Sequence, residues 1–276
     1  MKLKLEKPGL VEFDPKFAPP NVDPKSISRL IRNYEATMKN QMNDDFAASQ
    51  REVDLMDSLN DPGLFTFDQK KATALGEKAR KETELLTGEE QPQSETIIGH
   101  NPNLFPPFFM SFRSSTSGGV FTTPRQVFNG AAGLLGMSVA AFPPGGHIDR
   151  SMFMGAFTTA PSTELATVSV STFVGATIAA ITILGYGRAS ARLLVSVLAD
   201  GPSGFRAATG VTLLDDRVMG VNRIPLTNMT ATTRLMVNAG DVLLISCGLR
   251  VVAGCGGLVC SAASNVTLSG TVLCLF

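Results

Sequence analysis

Gly240-Asp-Val-Leu-Leu-Ile-Ser-Cys-Gly-Leu-Arg-Val-Val-Ala-Gly-Cys-Gly-Gly-Leu-Val-Cys-Ser-Ala-Ala-Ser-Asn-Val-Thr-Leu-Ser-Gly-Thr-Val-Leu-Cys-Leu-Phe276 is the stretch whose reading decides the fold. It closes on Thr-Val-Leu-Cys-Leu-Phe, residues costly to leave in water. A strand buried on both faces accounts for such a near-continuous apolar run. The last strand is therefore expected to be central in a sheet, or covered by a neighbouring subunit. Gly254-Cys-Gly-Gly257 reads as a tight crossing where backbones approach closely.

Upstream the same character continues. Ala166-Thr-Val-Ser-Val-Ser-Thr-Phe-Val, Arg192-Leu-Leu-Val-Ser-Val-Leu, Thr233-Arg-Leu-Met-Val and Val266-Thr-Leu-Ser-Gly-Thr-Val-Leu are rich in β-branched residues. Asp200-Gly-Pro-Ser-Gly, Asn238-Ala-Gly-Asp and Ala253-Gly-Cys-Gly-Gly punctuate them. Short strands separated by turn residues predict an antiparallel sandwich or barrel from about residue 120 onward. Leu165 to Leu184 has no charge and is long enough for a membrane span. Its Ser and Thr at 167, 169, 171, 172, 177 and 182 alternate in places with Val and Ile, and no basic cluster flanks it, so strands are the better reading.

Charge divides the chain in two. Net charge is zero, but residues 1–99 carry 14 basic and 18 acidic groups while residues 100–276 carry 10 and 6. Every lysine lies at or before Lys81. Such a balance argues against a nucleic-acid binder, which neutralises phosphates with a basic surface. No secretory signal is expected from Met1-Lys-Leu-Lys-Leu-Glu-Lys, which lacks an apolar core region. Without one, Asn228-Met-Thr and Asn265-Val-Thr are expected to go unused as glycosylation acceptors. Cys247, Cys255, Cys260 and Cys274 lack zinc-site spacing, and buried free thiols are expected ahead of a disulfide.

The front part is organised differently. Residues 1–23, broken by Pro8, Pro15, Pro19 and Pro20, read as a disordered tail or an extended arm; the apolar Leu10, Val11, Phe13 and Phe17 favour the arm, with these four as anchors along a neighbouring subunit. Residues 24–88 form a helical collar or stalk. Asp23-Pro24 caps the first helix, and Ile27, Leu30, Ile31, Tyr34, Met38, Met42, Phe46, Val53, Met56 and Leu59 recur at helical spacing. A second helix is expected from about residue 68 to 86. The stripes are too thin to stand alone, so either the body of the same chain or further copies must cover them. Residues 89–119, with Asn101-Pro-Asn-Leu-Phe-Pro-Pro-Phe-Phe-Met-Ser-Phe, form an extended linker laid on an apolar surface; residues 120–276 are the β-sandwich domain.

Catalytic signatures are weak. His147 and Asp149 in Gly145-Gly-His-Ile-Asp-Arg150 would share a side of a strand, but no nucleophile elbow accompanies them. The expectation is a loop histidine beside an Asp149/Arg150 ion pair. Asp215-Asp216 could hold a cation with Asp200, yet adjacent carboxylates usually make a solvated turn. Gly185-Tyr-Gly-Arg lacks the setting of a dinucleotide loop. Only two tyrosines and no tryptophan offer a sugar-stacking platform. No enzyme activity, cofactor or metal is expected.

The arm Lys7–Pro24, the helix Pro24–Leu59 and the jelly-roll-like ending, with Thr233-Arg-Leu-Met-Val-Asn-Ala-Gly-Asp-Val-Leu-Leu-Ile and Thr271–Phe276, resemble in their order virion proteins of tailed bacteriophages: head fibres, capsid decoration proteins and tail fibres. The likeness is architectural. It implies an α+β chain in two parts, with an N-terminal extended arm and helices and a C-terminal antiparallel β-sandwich that trimerises. The implied partners are capsid or tail proteins and a host-surface receptor, without nucleic acid or membrane, and the implied location is the virion. Asp200, Ser203, Phe205, Asp215, Asp216 and Asn222 mark candidate outward loops, because loops on a rigid scaffold carry binding. An oligomerising pore former and a cell-surface adhesin are the alternatives.

Overall fold

A computed structural model describes residues 1–6, 22–59, 106–122 and 124–275, together with positions 13, 18, 74, 77, 78, 81, 103 and 104. Nine strands and one long helix make up these residues: β1 (Lys4–Leu5), α1 (Pro24–Leu59), β2 (Asn103–Leu104), β3 (Phe109–Phe121), β4 (Arg125–Asn129), β5 (Leu134–Thr159), β6 (Glu164–Gly201), β7 (Gly204–Arg217), β8 (Gly220–Val237) and β9 (Val242–Leu275). A 3-10 turn, Gly130–Ala132, joins β4 to β5. All pairings are antiparallel, and the body is a nearly closed sandwich. Of the expected second helix, positions 74, 77, 78 and 81 are described and helical; its other residues, and Leu10, Val11, Phe17 and Phe276, lie outside the described residues.

Three strands are long because each serves both layers. Registers shift between Ala141 and Gly145 in β5 and around Leu184 in β6. There the two strands and β9 bend together: Gly145 and Tyr186 both face Gly256. Before and after the bend, the halves of β5, β9 and β6 lie side by side in two separate layers. One layer adds β1, β3 and β7, and the other adds β4 and β8. A Cβ on Gly185, whose φ is +122°, would sit 2.1 Å from the Gly256 carbonyl oxygen, so the close crossing expected at Gly254–Gly257 is real.

β9 is the central strand of both layers, inserted between β5 and β6, which precede it. That position buries its last described residues, with Leu273 between Val170 of β6 and Leu104 of β2. Alternate residues then make one continuous core between the layers: Leu135, Met137 and Ile148 from β5, Val168, Val170 and Leu193 from β6, and Leu243, Ile245 and Leu268 from β9. Leu165–Leu184, weighed above as a membrane span, is thus strand within β6. No helix among the described residues is long and apolar enough to cross a membrane.

The cysteine expectation is half corrected. Cys255 and Cys260 form a disulfide across the bend of β9, because the turn returns the chain within bonding distance; Cys247 and Cys274 are buried free thiols. Burial pushes the Cys247 thiol up to about 12, which makes it an inert core residue.

The helix begins as its sequence dictates. The Asp23 carboxylate accepts a hydrogen bond from the Lys25 amide, with Pro24 in the first turn. Of the two partners left open for its stripe, the body of the same chain is the one found. Ile27, Leu30, Tyr34, Met38 and Met42 bury against Phe112, Phe153, Leu194, Leu198 and Leu244 on the outer face of the β3-β5-β9-β6 layer. Burial of each such side chain contributes about 1.5–3 kcal/mol. Over Pro24–Leu59 the segment expected as a collar or stalk is therefore an outer layer of the body.

The described parts of the arm also lie on their own chain. Lys4 and Leu5 pair with Ser117 and Thr116 of β3, and Leu3 is buried. Phe13 sets its ring edge against Phe109 and Phe157, with centroids at 5.4 and 4.9 Å. Phe109–Phe121, mostly within the expected linker, is the sheet strand next to β5.

Candidate functional site

The outer face of the helix-covered layer changes character along its length. On β6 the residues facing α1 are, from the bend outward, Arg188, Ser190, Arg192, Leu194, Ser196, Leu198 and Asp200, since alternate residues share a face. The helix runs antiparallel to this strand and changes in step. Its first half meets Leu194 and Leu198, and its second half presents Asp45, Ser49 and Glu52, spaced to share one face. Where the polar halves meet, they leave a cleft of about 260 Å³. Asp149 of β5 and Arg250 and Val252 of β9 complete its walls with Ala48.

Two arginines in this cleft are fully engaged. Arg250 donates to both Asp149 oxygens, from Nη2 at 2.6 Å and Nε at 3.1 Å, and from Nη1 to Asp45 at 2.8 Å. Burial opposes its charge, but the two carboxylates outweigh that and raise its pKa. Arg188 grips Asp216 with two 2.7 Å bonds and reaches Glu52 at 3.3 Å. The hydrogen bonds to Asp216 raise the arginine and hold the Asp216 carboxyl below the usual range. Tyr186 donates to the other Glu52 oxygen at 2.7 Å; burial and that acceptor raise its phenol. Burial pushes Asp45 up, against the pull of Arg250.

Other groups here stand apart. Arg192 lies directly opposite Arg250 on the same sheet face, yet has no ion pair or hydrogen bond among the described residues. Ser190 lines the floor, and its hydroxyl also lacks a partner among them. His147 is fully buried on the same face, and neither ring nitrogen has a hydrogen-bond partner among the described residues. Burial lowers its pKa, with the Asp149 charge opposing.

Several sequence expectations are corrected here. His147 is on a central strand rather than in a loop, because the bend at residues 141–145 starts the outer half of β5 just before it. Asp149 pairs with Arg250 across the sheet and not with Arg150, which points to the opposite face. Asp215 and Asp216 end strand β7 and are each held by an arginine, Arg217 and Arg188, rather than forming a solvated turn. Asp200 is buried beneath the helix, paired with Arg29, and does not face outward. Phe205 packs partly against the helix cluster, Ser203 is exposed, and Asn222 is half-buried on β8. Asp215, Asp216 and Asp200 do not converge on a cation site. Among the described residues no cluster of His, Cys, Asp or Glu has the arrangement of a metal site.

The cleft itself was missed from the sequence. The available signal was Arg188, Ser190 and Arg192 alternating in a strand flanked by apolar runs, with Asp45, Ser49 and Glu52 interrupting the helix stripe.

Comparison with known proteins gives little to build on. No family model matches the chain, and no curated protein matches it. Among solved structures, the enzymatically active domain of tailspike protein 4 of bacteriophage CBA120 is similar at 13% identity and a TM-score of 0.21, over 59% of this chain and 19% of that one. The carbohydrate-binding module TmCBM61, bound to β-1,4-galactotriose, is similar at 11% identity and a TM-score of 0.20, over 56% and 89%. A Clostridium thermocellum xylanase 10B fragment with xylohexaose gives 14%, 0.18, 55% and 25%. This chain spans about a fifth of the tailspike chain it matches. TM-scores this low carry no argument about shared activity.

Proposed function

We propose that the chain is a structural component of a virus particle, a fibre or decoration protein of the kind tailed bacteriophages carry. Its N-terminal part holds it to capsid or tail proteins, and its body forms a homotrimer that projects outward and can meet a host surface. It has no catalytic role in this reading.

The observation that carries the reading is the β7–β8 hairpin. Val211, Leu213, Val218, Met219 and Val221 on it, with Ile183 on the adjoining bend of β6, are between 44% and 65% exposed. Scattered exposed apolar residues are ordinary, but a concentration along one hairpin marks a contact surface. Packing of three copies through this hairpin would cover it, in keeping with closed symmetry. With Phe13 and Leu3 engaged on the body, the anchoring role falls to Leu10, Val11 and Phe17.

An antibody raised against the β body tests the particle assignment. It is expected to label intact particles from the source of the gene, and particles that carry neither label nor the polypeptide by mass spectrometry would refute it.

A further inference from the structure

The start of the chain closes over the buried imidazole of His147. Gly118 of β3, His147 of β5, Gly254 of β9 and Arg188 of β6 are successive register partners on the sheet face that α1 covers. Gly118 has no side chain to cover the ring from the β3 side, and Leu3 takes that place. A Cβ on Gly118 would come 2.9 Å from Leu3 Cδ2, and Leu3 is itself buried. We propose that Met1–Glu6 is a strap over His147 that opens when the ring takes up a proton. This goes beyond the virion assignment and does not depend on it.

The closed strap leaves a charged ring no acceptor. An imidazolium has two N–H donors to place, and neither nitrogen has a partner among the described residues. The carboxylates nearby are committed. Asp149 of β5 is held by Arg250 of β9 and by Ser49, and Asp45 of α1 by Arg250. Glu52 of α1 is held by Tyr186 and Arg188 of β6. From β3, Thr116 and Gly118 share the face and neither titrates. Lys4 and Glu6 alternate with Leu3 and Leu5, so they turn away from the ring, and the Met1 amine pairs with Asp57. Asp149 and Glu52 favour the charged ring and Arg250 and Arg188 oppose it, but burial outweighs them all. Water is the remaining acceptor, and it enters where the cover is lightest.

The strap is that place. β1 is two residues long and pairs with β3 at the end of the strand order. Beyond that ladder, the Leu3 amide donates to Gln50 Oε1 at 3.0 Å, Gln50 Nε2 to the Met1 carbonyl at 3.1 Å, and the Glu6 amide to the Ser115 carbonyl at 3.0 Å. α1, by contrast, is fixed by a buried apolar stripe and by Arg250 and Arg188. Short segments with few buried contacts open locally while the core stays folded. With the strap open the ring titrates near the ordinary 6.5, and with it closed lower. Opening is therefore favoured as pH falls below 6.5, by about tenfold per pH unit while the closed ring stays neutral.

Hydrogen exchange of the full chain from pH 7.5 to pH 5 tests the proposal, read as protection factors so that the intrinsic pH dependence of exchange is divided out. The Leu3 and Glu6 amides are expected to lose protection about tenfold per pH unit below 6.5, and to remain far less protected than the Ile245 and Leu268 amides of β9. His147→Leu is expected to make the strap's protection independent of pH. Leu3→Ala thins the cover, and is expected to move the His147 ring titration, followed by NMR, up towards 6.5. Strap protection that does not change with pH, strap and β9 amides that exchange with equal protection, the same fall in His147→Leu, or an unmoved ring titration in Leu3→Ala would each overturn it.

Discussion

Acid sensitivity rooted in His147 is the sharpest stability consequence of the fold. The imidazole is buried on the outer face of β5, flanked in register by Gly118 of β3 and Gly254 of β9. A side chain on Gly118 would collide with Leu3, so the residues just before β1 pack against this spot. Neither nitrogen is hydrogen-bonded among the described residues, and leaving a buried polar atom unsatisfied costs about 1–3 kcal/mol. Asp149 and Glu52 favour the charged ring, Arg250 and Arg188 oppose it, and burial prevails, so the folded pKa lies below the ordinary 6.5. The unfolded chain therefore binds the proton first. Stability is lost as pH falls below 6.5, by about 1.4 kcal/mol for each pH unit in which the folded ring stays neutral. His147→Leu removes both orphaned atoms at similar volume. It is expected to be neutral to stabilising by about 1–2 kcal/mol at pH 7, and to flatten the decline below pH 6.5. Urea unfolding of both proteins from pH 7.5 to pH 4.5 measures this. Asp45 is present in both, so their difference reports on the histidine. Parallel pH profiles, or a variant destabilised by more than about 2 kcal/mol at pH 7, would show that the ring is partnered in solution.

Other substitutions probe the layers separately. Arg250→Met removes the only cation hydrogen-bonded to Asp149 and Asp45 among the described residues, and is expected to cost about 3–5 kcal/mol in urea unfolding, as when one partner of a buried pair is removed. Gly248→Ala puts a Cβ 2.4 Å from the Phe153 ring and 2.6 Å from the Met152 carbonyl oxygen. A loss of about 1–3 kcal/mol is expected there, as for overpacked cores, and an unchanged melting temperature would mean that the ring can move aside. Tyr186→Phe deletes the bond to Glu52 and is expected to cost about 1 kcal/mol.

The sequence announced the parts whose physics is local. Asp23-Pro24 capped the helix where expected, and its stripe from Ile27 to Val53 was legible because packing requires apolar residues at helical spacing. The β character from Ala166 onward followed from β-branched runs, and the close crossing at Gly254–Gly257 from the glycines. What stayed hidden depended on pairing over long separations. The position of β9 between β5 and β6 brings Arg250 to Asp149, and the helix adds Asp45 from far upstream, so no spacing rule could join them. Asp200 followed turn chemistry in the sequence, yet its side chain falls on the helix-facing side of β6, where Arg29 holds it. His147 looked like a loop residue because Pro143-Pro144 and two glycines precede it. Those residues bend a strand instead of ending it.

The molar mass of the purified chain by light scattering bears most directly on the assembly. One chain has a mass of 29.2 kDa, so the trimer is expected at about 88 kDa. Leu213→Lys with Met219→Lys, which charges the exposed hairpin without touching the core, is expected to return it to the mass of a single copy. A wild-type chain that runs at 29.2 kDa across the micromolar range would contradict the account.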